Sequence, residues 1–490
     1  MYCGLSAVNF LTLPHCYVVF QNWGTAHVYS SPKWCCSMRF LLHSDCSFNR
    51  SDSSLYGCKN RTIHISASLG STHVEQSEAE TKKLTDSELR RLCGSHVPDR
   101  VLCRVEEMGY TVPTSVQREA LPVLFSGRDC VIHAQTGSGK TLAYMLRIFS
   151  VVNVQRSSVQ ALIVVPTREL GIQVTKVARM LAAKSSELEP EQKSCIIMAL
   201  LDGGTLRRHK SWLKADPPTI VIATLKSLCH MLDKQILKVD AMRVLVIDEV
   251  DFMFNSSNEV SSLRKLLTTY SSINKRQTIF ASASIPQHRR FLYDCVQHKW
   301  TKADVVHVHV NAAEPMPSCL HHRFVICAKK ERHLTLLNLL NSDSPKSAII
   351  FVGEQSEKSK KAGKAPPVTL LFDFLKTSYG ENLELVLLEE EMNLSQRAAS
   401  LSDVKRSGGY LLVATDIAAR GVDLPETTHV YNLDLPKDAV SYLHRAGRTG
   451  RKPFSGGKCF VTNIIASEER FVLQRFENEL MFGCEEVLLS

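Results

Sequence analysis

The sequence predicts an α/β protein of two tandem domains, each a parallel sheet flanked by helices. Short apolar runs recur at residues 130–133, 161–165, 195–200, 219–223, 244–247 and 278–281, each followed by a turn or a helical pattern. That alternation is the mark of βα units, whose strands are covered on both faces and therefore read as continuous apolar runs. A second series follows at residues 323–327, 348–352, 383–388, 410–414, 429–432 and 459–462. Between the two lies Ala-Ala-Glu-Pro-Met-Pro, residues 312–317, with the composition of a linker. The length of 490 residues also exceeds one core at roughly 100–200 residues per domain. The expected division is a leader over 1–70, a first domain over 84–311, a linker over 312–318 and a second domain over 319–490.

Composition narrows the class. Apolar and charged fractions of 44% and 22% are those of a folded globular chain, and no apolar run approaches the ~18 residues of a membrane helix, so no membrane partner is expected. The formal charge of +10 favours an anionic partner. Of the 16 cysteines, none forms a pair with zinc spacing, and several sit inside apolar runs, so reduced thiols are the expectation.

The leader differs from the rest. Its only acids are Asp45 and Asp52, against Lys33, Arg39, Arg50, Lys59 and Arg61, and it is rich in serine. Ser-rich, acid-poor and weakly basic is the composition of an organelle transit peptide; the bland alternative is a disordered tail. Serine outweighing arginine favours a chloroplast over a mitochondrion.

After the first strand comes Ala134-Gln135-Thr136-Gly137-Ser138-Gly139-Lys140-Thr141, and then a helical pattern. Strand, Gly-x-Gly-Lys-Thr and helix in register make a P-loop, with Ala134 in place of its first glycine. Gly137 and Gly139 let backbone N–H groups close on phosphate oxygens, and the helix N-terminus adds a positive field. Lys140 is suited to the β- and γ-phosphates, and Thr141 to Mg²⁺. The run 244–247 ends in Asp248-Glu249-Val250-Asp251, which delivers carboxylates to the carboxyl edge of a parallel sheet, where such sheets hold ligands. Asp248 is then the metal-side carboxylate opposite Thr141. Glu249 is placed to orient an attacking water, and Asp251 is suited to an interdomain hydrogen bond. Together these segments imply a nucleoside triphosphate and Mg²⁺.

With those residues in view, the chain resembles the DEAD-box ATP-dependent RNA helicases of superfamily 2, with motifs in family order over residues 84–490. The resemblance implies two RecA-like domains and ATP with Mg²⁺ as cofactors. Tyr110-Thr111-Val112-Pro113-Thr114-Ser115-Val116-Gln117 is similar to the Q motif, which implies that Gln117 reads the adenine and Tyr110 stacks on it. Pro166, Thr167 and Arg168, in Pro166-Thr167-Arg168-Glu169-Leu170, would meet RNA phosphates, and Gly203-Gly204 would let bare backbone approach the strand. Thr224 opens a degenerate form of another RNA-contact element, and Ser282-Ala283-Ser284 stands where Ser-Ala-Thr couples hydrolysis to strand separation.

In the second half, the resemblance implies that Thr415 meets an RNA phosphate and Asp423 the ribose of ATP. His444-Arg445-Ala446-Gly447-Arg448-Thr449-Gly450-Arg451 matches the motif whose arginines reach the γ-phosphate, here Arg448 and Arg451, while His444 would bridge to Asp251. The chain departs from the pattern at several places. Val250 replaces alanine, Ser284 replaces threonine, Thr224-Leu225-Lys226-Ser227-Leu228 lacks the usual Gly and Arg, and Glu389-Glu390 and Leu394 replace His-Gly and Gln. Arg397 remains as the RNA-contacting arginine of that last element. The expected activity is RNA-stimulated ATP hydrolysis coupled to local duplex unwinding or ribonucleoprotein remodelling. The rival is an ATP-gated RNA clamp or assembly scaffold. Expected partners are RNA and ribonucleoprotein or ribosome-assembly proteins, with the chain itself monomeric.

Overall fold

Two parallel sheets of seven strands each account for the two series of apolar runs. The computed structural model describes residues 9–13, 16–20, 87–183, 194–201, 206–255, 257–270, 272–285, 290–310, 316–317, 319–380, 383–389, 391–419, 421–422, 424–425, 427–450 and 458–488. Apart from β1 (Asn9–Leu13) and β2 (Cys16–Phe20), which pair in a sheet of their own, the leader lies outside the described residues. So do Gly203, Gly204, Asp423, Arg451 and most of 312–318. Asp86–Ser490 belong to one compact unit.

The first sheet contains β3 (Cys130–His133), β4 (Ala161–Val165), β5 (Ile197–Leu200), β6 (Ile220–Thr224), β7 (Val244–Asp248), β8 (Gln277–Ser282) and β9 (Val306–His309), in the order β5-β6-β4-β7-β8-β3-β9. Every pairing is parallel. Alternate residues of each strand feed opposite cores, as the two-residue period of a strand requires. Ile132, Ile163, Val246 and Ala281 enter one core, and Val131, Leu162, Leu245 and Phe280 the other, all fully buried. The second sheet contains β10 (Leu320–Ile326), β11 (Ser347–Phe351), β12 (Glu384–Leu388), β13 (Tyr410–Ala414), β14 (His429–Asn432), β15 (Cys459–Ile465) and β16 (Cys484–Glu486), in the order β12-β13-β11-β14-β15-β10-β16. It too is parallel throughout and covered on both faces.

The tandem α/β expectation therefore holds, with two strands added. β9 and β16 are edge strands that carry no apolar run. In Val306-His307-Val308-His309 only Val308 is buried, so one face is covered and the other is open. The Lys- and Ser-rich stretch from Glu354 contains a one-turn helix, Glu357–Lys361, capped by Ser356 and with no buried residue.

Sheet order positions the site. β7, β8 and β3 are consecutive neighbours, so the residues following their carboxyl ends share one rim. Local signals start the helices there. Thr114 and Gln117 form a reciprocal capping box at the helix Ser115–Phe125. Thr167 caps Arg168–Ala182, and Asp438 caps Ala439–Ala446.

Candidate active site

The P-loop leaves β3 and enters the helix Lys140–Val151 through Gly139, whose φ of 98° is open only to glycine at low cost. Space makes the same demand, because a Cβ on Gly139 would lie 2.7 Å from Gln117 Nε2. That amide is held in place: its Oε1 accepts the Thr114 N–H at 3.0 Å and its Nε2 donates to the Gly139 carbonyl at 3.3 Å. Gln117 is thus buried against the P-loop, while Tyr110, seven residues earlier in the sequence, is 40% exposed. Ser138 donates to the Gln135 carbonyl at 2.6 Å and tightens the turn.

Lys140 curls back over this loop. Its Nζ donates to the carbonyls of Ala134 at 2.6 Å and Gln135 at 2.9 Å. Burial lowers the pKa of this ammonium, opposed by the nearby carboxylates of Glu249, Asp248 and Asp251, while Arg448 adds to the lowering. The Arg448 charge belongs to the second sheet's half of the chain, so the two halves already meet electrostatically at Lys140.

β7 ends in the acids. Burial pushes the Asp248 carboxyl up to about 6, reinforced by the charge of Glu249 and opposed by Tyr144 and Lys140. The Tyr144 hydroxyl donates to Asp248 Oδ2 at 2.8 Å and is also hydrogen-bonded to the Thr141 side chain. Tyr144 therefore ties the P-loop threonine to the β7 aspartate. The sequence alone does not disclose this role, since an aromatic residue at a helix position facing a core ordinarily only packs. The signal was its place one turn after Thr141. Tyr144→Phe keeps the packing and deletes the tie. The expected outcome is a stability loss of about 1–3 kcal/mol, read as a fall in Tm, with a rise in the Mg²⁺ concentration needed for half-maximal ATP turnover.

Glu249 is buried, with a backbone φ of 49°, a left-handed conformation uncommon for a residue with a side chain. Strained positions of this kind concentrate where function demands them. Its Oε2 is buried with no hydrogen-bond partner among the described residues, an acceptor left for a cation or a water. Glu249, Asp251 and His444 offer ligand atoms within 4.8 Å of one another. Asp251, however, is already saturated. It accepts from Ser282 Oγ at 2.6 Å, Ser284 Oγ at 2.5 Å, the Phe252 N–H at 2.9 Å and His444 Nε2 at 2.7 Å. Burial would raise its pKa, but the His444 contact and the serine hydroxyls outweigh this and hold the carboxyl well below the usual range. The divalent-cation chemistry thus fits the Thr141, Asp248 and Glu249 side, where a raised carboxyl and an orphan oxygen await charge compensation.

The second sheet supplies the other wall. His444 is wholly buried, with Nδ1 at 4.0 Å from Glu249 Oε2. A Cβ at Gly447 would lie 3.9 Å from Thr136 Oγ1, so the segment carrying Arg448 runs along the P-loop. Arg448 donates to the Val422 carbonyl at 3.0 Å. Gly421 has a φ of 63°, and a Cβ there would sit 2.3 Å from that of Leu170. Thr415 Oγ1 is buried without a partner among the described residues.

The remaining candidates lie away from the P-loop. Pro166 and Arg168 are half-buried at the end of β4, where Thr167 Oγ1 accepts the Leu170 N–H. Thr224 pairs with Ser227 at 3.0 Å. Arg397 Nη1 donates to Glu169 Oε1 at 2.7 Å in a buried ion pair between the two halves.

Comparison with known proteins agrees with this geometry. The DEAD/DEAH box helicase model matches residues 114–291, and the helicase conserved C-terminal domain model matches residues 330–453. The chain is 64% identical over 430 residues to the DEAD-box ATP-dependent RNA helicase 58, chloroplastic, of Arabidopsis thaliana, covering 88% of this chain and 90% of that one. The protein of the same name from Oryza sativa subsp. japonica is 64% identical over 399 residues, covering 81% and 89%. Among solved structures, S. cerevisiae Dbp5 bound to RNA and ADP BeF3 superposes with a TM-score of 0.67 at 20% identity, over 82% of this chain and 96% of that one. The DEAD-box helicase Mss116 bound to ssRNA and UDP-BeF gives a TM-score of 0.70 at 22% identity, over 81% and 79%. At those identities the structures speak for the fold.

Proposed function

The chain belongs to the DEAD/DEAH-box helicases, and from that premise we propose that it is an ATP-dependent RNA helicase of the chloroplast, coupling RNA-stimulated ATP hydrolysis to local duplex opening or ribonucleoprotein remodelling. The observation that carries the proposal is the buried contact between Asp251 and His444, 193 residues apart, beside an acceptor-rich P-loop rim. It supports a site that is complete only when both sheets close on it.

In this reading the backbone N–H groups of the P-loop and the ammonium of Lys140 take the phosphates. Gln117 faces the adenine, with Tyr110 beside it. Mg²⁺ would be held by Thr141 and Asp248, and when bound it supplies charge neutralisation at the phosphates. Glu249 orients the attacking water. Arg448, with Arg451, answers the charge that develops on the transferred phosphoryl group. Asp251, Ser282, Ser284 and His444 transmit closure. Pro166, Thr167, Arg168, Gly203, Gly204, Thr224 and Thr415 form the RNA side, and Asp423 faces the ribose. ATP and RNA both favour the closed arrangement, so RNA stimulates hydrolysis and product release reopens the cleft.

The test is strand separation of a short RNA duplex by the purified protein. ATP is expected to support separation, a non-hydrolysable analogue to support binding without turnover, and Lys140→Ala to abolish both turnover and separation. The rival clamp is favoured by the degenerate RNA-contact elements at residues 224–228 and 389–397. It predicts that RNA is held with ATP and with the analogue and that strands separate with neither. Monomeric working state and ribosome-assembly partners are part of the proposal. A fluorescent fusion of residues 1–80 checks the compartment, and a cytosolic signal would remove the chloroplast assignment.

A further inference from the structure

A second cluster of ligand-bearing side chains stands at the edge of the first sheet, on the strand that leads into the P-loop. His133 is the last residue of β3, and the register pairs it with His309 on the edge strand β9. His307 lies two residues earlier on β9, on the same face as His309 by the strand period. The rings lie nearly parallel: His133 and His309 have centroids 3.9 Å apart, His133 and His307 5.6 Å, and His307 and His309 5.3 Å. One nitrogen from each ring falls within 4.8 Å of the others.

From this geometry we propose that His133, His307 and His309 form a binding site for a transition-metal ion of the imidazole-preferring kind, zinc or copper(II), distinct from the nucleotide site. Three observations support it. His133 Nδ1 is buried and has no hydrogen-bond partner among the described residues, so one lone pair is desolvated and unused. The same ring is hydrogen-bonded to the backbone of Ala283, the kind of outer contact that fixes ring orientation in metal-bound histidines. His309 is exposed, which gives an ion access and leaves a fourth position to water. With bonds of roughly 2.0–2.1 Å to a tetrahedral ion, nitrogens sit about 3.4 Å apart. Because the lone pairs lie in the nearly parallel ring planes, binding requires the imidazoles to turn about their side-chain bonds as well as to close on the ion. A bound ion would fasten β9 to β3 one residue before the P-loop and beside Ala283, the centre of the Ser282-Ala283-Ser284 element.

The test uses the full chain without a polyhistidine tag and Co²⁺ as the spectroscopic probe. One equivalent is expected to give visible d–d absorption without the near-ultraviolet charge-transfer bands of thiolate ligation, and Zn²⁺ should displace it. His307→Gln, His309→Gln and the double substitution should lose that absorption while keeping the metal-free Tm. In the unsubstituted chain, Zn²⁺ should also protect His307 and His309 from acylation by diethyl pyrocarbonate, read by peptide mass spectrometry. Absence of uptake, a thiolate spectrum, absorption that survives the double substitution, or unprotected histidines would each overturn the site. The cluster would then be a stack of neutral imidazoles covering a sheet edge.

Discussion

Glu249→Gln is expected to lower RNA-stimulated ATP turnover by roughly 10²–10⁴-fold while ATP binding stays close to that of the parent chain. The residue is 5% exposed and its Oε2 has no partner among the described residues, so the nearly isosteric change breaks no hydrogen bond to that oxygen. What it removes is negative charge and basicity at the point where a water must be polarised. Binding is spared for an electrostatic reason. Glu249 is among the causes that raise the Asp248 carboxyl, so its neutralisation eases ionisation of the aspartate assigned to the metal. The measurement is steady-state hydrolysis at saturating RNA, set beside equilibrium binding of a fluorescent ATP analogue. Turnover within a few-fold of the parent would remove Glu249 from the chemistry. A parallel loss of binding would mean that the residue holds the loop and does not act on water.

Much of the fold was legible because strands buried on both faces advertise themselves as apolar runs, and 161–165 and 244–247 did so without ambiguity. The edges were not. Val306-His307-Val308-His309 buries only one side and reads as polar, so β9 escaped notice along with the histidine cluster it completes. The P-loop and the acids were legible as local chemistry, because glycine placement, Lys140 and a strand end in carboxylates are short-range signals. Long-range contacts were not legible from residues alone. Nothing in spacing brings His444 to Asp251 or Arg397 to Glu169, 228 positions apart; the first partnership came from the family resemblance, and the second was not foreseen at all. Nor does sequence reveal that Glu249 adopts a φ of 49°, since that strain is imposed by the packing around it.

Two arginines three residues apart should fail in different ways when truncated. Arg445 is a structural group: its Nε donates to Asp416 at 2.6 Å, its Nη1 to the Asp434 carbonyl at 2.7 Å and to Asn432 at 3.2 Å, and its guanidinium lies 5.0 Å from the centroid of Phe351. Arg445→Ala strands these acceptors in the interior of the second half, and removal of one partner of a buried pair costs about 3–5 kcal/mol. Asp416 keeps some solvent contact, so the lower part of that range is expected, read as a fall in Tm. Arg448 donates to the Val422 carbonyl and places its charge near Lys140. Arg448→Ala should lower Tm less than Arg445→Ala, which strands the Asp416 carboxylate, and should keep ATP affinity within a few-fold, because the P-loop contacts of the first sheet remain. The loss should fall on turnover, by roughly 10³–10⁵-fold, the range for an arginine that stabilises the transferring phosphoryl group. Arg448→Lys should recover little of it, since an ammonium lacks the planar fork that matches phosphate oxygens. Thermal unfolding and single-turnover hydrolysis on both substitutions separate the roles. A stable Arg448→Ala protein with parental turnover would assign the transition-state charge elsewhere, whereas equal losses of Tm in the two variants would make the whole segment structural.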